Sequence, residues 1–135
     1  MKSYKELGAY QKSYDLVIMI YKMTQKFPKD EMYTMTSQIR RSAISIPSNI
    51  AEGYMRGSKE YIQFLKIALG SCAELETQLS LSKDISLCNQ KEYDQAISLL
   101  SEVIKLLMTY VKRIGKFSDE QESDSNRSPL SANRY

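Results

Sequence analysis

Residues 38–53, Gln-Ile-Arg-Arg-Ser-Ala-Ile-Ser-Ile-Pro-Ser-Asn-Ile-Ala-Glu-Gly, gather polar groups at helical spacing. Gln38, Arg41, Ser45, Ser48 and Glu52 step by three, four, three and four, so a helix displays them on one side. Ile39, Ala43, Ile46 and Ile50 form an apolar stripe on roughly the opposite side. A solvated helix face ordinarily carries Lys and Glu. Small polar side chains and one arginine instead let a second backbone come close, or let a hydrogen-bonded network form. Two readings follow. One is a subunit interface or ligand-facing surface. The other is polar packing around a helix kinked at Pro47, which cannot donate to the Ala43 carbonyl. Ser45, Ser48 and Asn49 are placed to bond backbone groups freed there.

Catalytic chemistry is sparse. The chain has no histidine, the commonest general base and metal ligand. Glu74 and Glu76 lack the histidine partners of a carboxylate-bridged two-metal site. Cys72 and Cys88 are too few and too scattered for zinc and read as free thiols of a reducing compartment. No phosphate-cradling glycine loop, dinucleotide fingerprint or nucleophile elbow is present. Glu52 and Glu60 flank one turn and could work as paired carboxylates. Helix capping and salt links to Arg56 or Lys59 account for them more simply. We therefore expect a protein that is not an enzyme, with no cofactor, metal or small-molecule substrate.

These residues need helices to position them, and four can be read. The first spans about residues 4–25 on Leu7, Tyr10, Tyr14, Val17 and Tyr21, and stops at Phe27-Pro28. The second spans about 31–54 and ends in the glycines at 53 and 57. Ser58 caps a third, whose seam is Tyr61, Leu65, Ala68, Cys72, Leu75 and Leu79. After a break near 82–89, the fourth spans about 91–116 on Tyr93, Ile97, Leu100, Ile104, Leu107, Val111 and Ile114. The expected fold class is all-α: an up-down-up-down four-helix bundle over residues 1–117, followed by a disordered polar tail, 118–135. No apolar run is long enough to span a membrane and no signal peptide opens the chain, so the expected location is cytoplasmic.

The helices carry more apolar surface than one small bundle covers. Between Tyr61 and Leu69 only Gln63 and Lys66 are polar, and Phe64 and Ile67 lie off the seam. The first helix runs unbroken from Leu16 to Tyr21, and the fourth adds Leu99, Val103, Leu106, Met108 and Tyr110. Such surface promotes association, so a homo-oligomer is expected. Phe64, Ile67, Gln38, Ser45 and Glu52 are its candidate interface residues.

Charge is also uneven. Residues 1–117 hold 17 Lys and Arg against 12 Asp and Glu, or +5, whereas 118–135 hold 2 against 4, or −2. With alternating helix directions, one end of the bundle collects Lys2, Lys5, Arg56, Lys59, Lys112, Arg113 and Lys116 against Glu6, Glu52 and Glu60. Repeated around a ring, that end makes a surface for RNA or DNA phosphates. The bland alternative is that Lys112, Arg113 and Lys116 merely complement a helix dipole. Lys5, Arg56, Lys59, Lys112, Arg113 and Lys116, with Arg40 and Arg41, are the candidate nucleic-acid contacts.

The run 38–53 resembles the signature of the bacterial four-helix-bundle family of ribosomal-RNA intervening-sequence proteins. A second block agrees: Glu60, Phe64, Leu65, Ala68, Gly70, Ser71, Glu74, Leu75, Glu76 and Leu79. The likeness covers residues 4–115. It is looser in the first helix, where the family often has Trp and this chain has Tyr10. It implies a left-handed bundle, commonly a homopentameric ring. It also implies kinship with the accessory variability protein of diversity-generating retroelements, which is basic, binds nucleic acid and works with a reverse transcriptase. The family has no firmly assigned biochemical activity. Gln38, Arg40, Arg41, Asn49, Glu52, Gly53, Glu60 and Glu74 match its motif without an assigned role. The resulting expectation is a scaffold or accessory protein for nucleic acid, or alternatively a protein-assembly module without nucleic acid.

Overall fold

The computed structural model describes residues 3–125, with side chains to Lys116. Four α-helices, α1 (Gly8–Thr24), α2 (Ser37–Arg56), α3 (Ser58–Asp84) and α4 (Gln90–Ser125), pack each on its neighbours in sequence, and α4 closes the square on α1. Short links force each helix to reverse direction, giving the expected up-down-up-down bundle. No strand occurs among the described residues.

The core is aliphatic. Ile39, Ala43, Ile46 and Ile50 of α2 and Leu65, Ala68, Cys72, Leu75 and Leu79 of α3 are buried, as their spacing predicts. The seam of α1 is a correction. Its buried face is Ala9, Ser13, Leu16, Ile20 and Met23, not the tyrosine stripe. Tyr10, Val17 and Tyr21 are half-buried and Tyr14 is 53% exposed. In the unbroken run Leu16–Tyr21 either stripe is apolar enough, so periodicity alone cannot choose. Packing selects the stripe with small residues, which admits α2 and α4 more closely. In α4 the innermost residues are Ala96, Leu100, Val103 and Leu107. Val103 thus belongs to the core, while Ile97 and Ile104 sit half-buried at its flanks.

Helix boundaries differ from expectation where the backbone is irregular. Tyr4–Glu6 is a 3-10 turn, and extended Leu7 (φ −69°, ψ 130°) separates it from α1. Phe27-Pro28 ends α1 as expected, and Lys29–Glu31 forms another 3-10 turn. A π-helical segment, Met32–Thr36, then feeds into α2. Pro47 lies buried within an unbroken α2. Gly53 does not end that helix. A Cβ there would lie 2.6 Å from Cβ of Phe64, so glycine allows α2 and α3 to touch. The chain breaks instead at Gly57, at φ +101°. Gly57, not Ser58, takes the capping position of α3. Before α4, Asn89 Oδ1 accepts from the Glu92 N–H at 2.8 Å and Glu92 Oε1 accepts from the Asn89 N–H at 3.0 Å, a reciprocal cap.

Helix α4 continues to Ser125, beyond the expected end near Lys116 and into the segment read as a disordered tail. Residues 117–125 contain neither Gly nor Pro, so nothing local stops it. Residues 126–135 of that tail lie outside the described residues.

Candidate nucleic-acid and assembly surfaces

The basic end forms because three chain segments meet there. Tyr4, just before α1, packs edge-on to Tyr54 near the end of α2, with ring centroids 6.4 Å apart. Tyr54 meets Tyr61 at the start of α3 at 5.9 Å. The Tyr110 hydroxyl of α4 accepts from the Ala9 N–H at 3.4 Å. Burial pushes the Tyr61 phenol up to about 12, aided by Tyr110 and Tyr54. Its hydroxyl has no hydrogen-bond partner among the described residues. This tyrosine cluster fixes the relative positions of the surrounding cations.

Those cations are not equivalent. Arg56 donates through Nη2 to Glu52 and through Nη1 to Glu60, both at 3.2 Å, and lies over the Phe64 ring at 5.0 Å. The hydrogen bonds to Glu60 and then Glu52 raise its pKa. Glu52 and Glu60 are therefore salt-link partners, and Arg56 is paired on both sides. Lys5, Lys59, Lys112, Arg113 and Lys116 are exposed, and among the described residues none lies within salt-bridge distance of a carboxylate. The opposite end pairs Lys26 with Glu92 at 3.3 Å and Lys83 with Asp84 at 3.9 Å. Just past the basic end, the extension of α4 carries Asp119, Glu120, Glu122 and Asp124 along the same helix.

The two arginines of the 38–53 run take different positions. Arg40 is half-buried. Its guanidinium lies 4.4 Å over the Tyr21 ring and its Nε donates to Thr24 Oγ1 at 2.8 Å. Arg41 is exposed and unpaired among the described residues. The polar stripe also divides. Ser45 turns toward α3, where its Oγ meets Ser71 Oγ at 2.8 Å and accepts from Asn49 Nδ2 at 2.9 Å. Asn49 Nδ2 also donates to the Ser45 carbonyl at 2.7 Å. Of the five residues expected at an interface, Ser45, Glu52 and Phe64 are thus engaged within the chain. Gln38 and Ile67 stay exposed.

Sequence reasoning missed one partly apolar surface. Between α1 and α2 lies an open hollow of about 690 Å³ bounded by Tyr21, Tyr33, Arg41 and Ile44. It shares Ile44 and Ser48 with a second hollow of about 390 Å³ against Tyr14 and Ile18. Tyr33 is 92% exposed. The clue was the helix-one stripe itself: three tyrosines keep hydroxyls that a dry core would have to satisfy.

The thiols are inert. Burial, and then the charge of Glu76, pushes Cys72 up to about 12. Burial and Glu92 raise Cys88 against the opposing effect of Lys83. Neither supplies a thiolate near neutral pH. Among the described residues no group of three or more Cys, Asp or Glu is placed to hold a metal ion, and no helix is long and apolar enough to cross a membrane.

The family described as 23S rRNA-intervening sequence protein matches residues 5–109. A crystal structure from Bacteroides thetaiotaomicron, of a protein with unknown function from the S23 ribosomal protein family, superposes with a TM-score of 0.71 at 26% identity. The match covers 77% of this chain and 95% of that one. No curated protein matches.

Proposed function

The chain belongs to the 23S rRNA-intervening sequence protein family, and we propose that it acts without catalysis, as a self-assembling bundle that binds RNA or DNA phosphates with its basic end. The observation that carries the reading is the division of labour around Arg56. By holding both Glu52 and Glu60, it leaves Lys5, Lys59, Lys112, Arg113 and Lys116 without a carboxylate partner among the described residues. Unpaired cations on one rim of a ring sum their fields and release counterions when phosphate binds. The ring is a homopentamer in this reading, and the protein works in the cytoplasm as a scaffold or accessory factor. The ribosomal-protein family named for the Bacteroides relative is in keeping with a nucleic-acid partner.

The test is titration of labelled single- and double-stranded RNA and DNA at low and moderate salt. Binding that weakens steeply with salt supports the reading. No binding to any of them at low salt overturns the nucleic-acid half. A second reading, assembly with protein alone, is favoured by the exposed apolar face between α1 and α2. It gains if the chain self-associates but leaves every nucleic acid unbound.

A further inference from the structure

The geometry points to a specific head-to-tail contact between two copies: the α1–α2 hollow of one receives the outer stripe of α3 of the next, with Arg41 against Glu74. This rests on the self-association reading above and says which surfaces meet.

The hollow exposes apolar side chains between polar ones. Tyr14, Ile18 and Ile44 are all exposed at its margins, and Tyr33 stands almost wholly in solvent at one end. Along α2 its lining runs from Ser37 to Ala51. Fourteen residues of helix make about 21 Å. Burying that face returns the apolar contribution that solvent now withholds.

The outer face of α3 matches it in length, relief and charge. Ile67, Gly70, Glu74, Thr77 and Leu81 recur at three- and four-residue steps, all exposed. Ile67 and Leu81 are 45% and 47% exposed, again fourteen residues and about 21 Å apart. Between them Gly70 has nothing within 4 Å of where a Cβ would stand, so another backbone can come near. Among the described residues neither Glu74, near the middle of this stripe, nor Arg41 in the hollow forms a salt bridge. A cation in the concave surface and an anion on the convex one set the register.

Hollow and stripe are formed by different residues on different helices. The contact is therefore heterologous: each copy offers one surface forward and the other backward. Such a contact closes into a ring when its rotation permits, and basic ends then share a rim.

The experiment measures particle mass by sedimentation for the full chain, four single variants and one double variant, with helix content checked by circular dichroism. Ile44→Glu disables the hollow and Ile67→Glu the stripe; both side chains are exposed, so folding is retained. Each variant alone should sediment as a single chain. Mixed, they should give a two-chain particle and nothing larger, because one intact hollow meets one intact stripe. Arg41→Glu and Glu74→Arg should each weaken assembly at least tenfold, and the double reversal should restore it.

Wild-type chains that stay single at high micromolar concentration overturn both this contact and the self-association reading. Assembly that survives Ile44→Glu and Ile67→Glu overturns the contact and leaves self-association standing. A mixture with no two-chain particle does the same. Loss of RNA or DNA binding in Ile44→Glu with assembly intact gives the hollow to nucleic acid and overturns the contact.

Discussion

Arg40 covers the ring of Tyr21 at 4.4 Å while its Nε donates to Thr24 Oγ1 at 2.8 Å. One planar cation thereby ties α2 to the last turns of α1. Thr24 Oγ1 in turn donates to the Ile20 carbonyl at 2.7 Å, so the tie reaches a buried hydrogen bond. Arg40 is accordingly a poor candidate for phosphate, although its neighbour Arg41 is exposed. Replacing Arg40 by Ala should cost roughly 1–2 kcal/mol in chemical denaturation, from the lost ring contact and hydrogen bond. Lys should restore only part, having no plane to stack. Arg41→Ala should leave monomer stability within about 0.5 kcal/mol, as for other exposed positions.

The basic end makes a quantitative demand. If Lys112 and Arg113 each contact one phosphate, changing both to Gln should flatten the log–log dependence of affinity on salt by about 1.8 on duplex DNA, or about 1.4 on single strands. Changing Glu52 and Glu60 to Gln should act in the opposite direction by releasing Arg56, now held by both at 3.2 Å. Fluorescence anisotropy across a salt series reads both effects. An unchanged slope in the first variant removes Lys112 and Arg113 from the site.

The acidic continuation of α4 should compete with phosphate. Removing residues 118–135 subtracts two positive and four negative charges, raising the net charge from +3 to +5. Affinity for nucleic acid at low salt should rise several-fold, and the difference should fade at 0.5 M salt as screening shortens the reach of those charges. Equal affinities at low salt would show that the extension does not act on the rim.

Gly53 should tolerate no side chain without cost. A Cβ would lie 2.6 Å from Phe64 Cβ and 3.1 Å from the Tyr61 ring. Alanine should therefore destabilise by about 1–3 kcal/mol despite its better helix propensity, because the α2–α3 contact must open. Thermal denaturation of dilute, unassembled chains compares it with Gly70→Ala, which meets nothing within 4 Å in the single chain and should be neutral or stabilising there.

Alkaline stability follows from Cys72 and Tyr61. Their folded pKa values are raised from 9.0 and 10.0 to about 12. Each binds its proton more tightly when folded, so its contribution is complete below the unfolded value and disappears as pH climbs through the folded one. Stability should hold to about pH 9 and fall between about 9 and 12. Cys72→Ser should remove the earlier part of that fall, measured by urea midpoints across pH. At pH 8 the native thiol should react with a maleimide far more slowly than in the unfolded chain.

The stripe of α2 was legible because one face is clearly greasier than the rest, and the seam of α3 because Cys72, Leu75 and Leu79 continue it among polar neighbours after the largely apolar run 64–69 ends. Helix one defeated the same approach. Its Tyr10, Tyr14 and Tyr21 look like core residues by hydropathy, but the fold gives that place to Ala9, Ser13, Leu16 and Ile20. The rejected stripe then becomes one wall of the exposed hollow. Misplacing a core seam and missing a candidate interface are thus one error, which only the packing of α2 on α1 resolves. The basic end was legible because helix alternation sorts charges by position. Sequence spacing puts Glu52 and Glu60 within reach of Arg56 or Lys59, and the fold gives both carboxylates to Arg56. The extension of α4 was hidden by composition: Asp, Glu, Gln and Ser suit a tail as well as an exposed helix.

Gly57 is the sole residue outside α-helix between α2 and α3. Two rods of 20 and 27 residues therefore fold back on each other through a single articulation. So short a closure costs little chain entropy, and the paired rods lie in close contact along their length, zipped by Ser45 to Ser71 and seated at Gly53 on Phe64. That hairpin is the natural place for the chain to begin ordering itself, and its amide protons should be the slowest to exchange with heavy water.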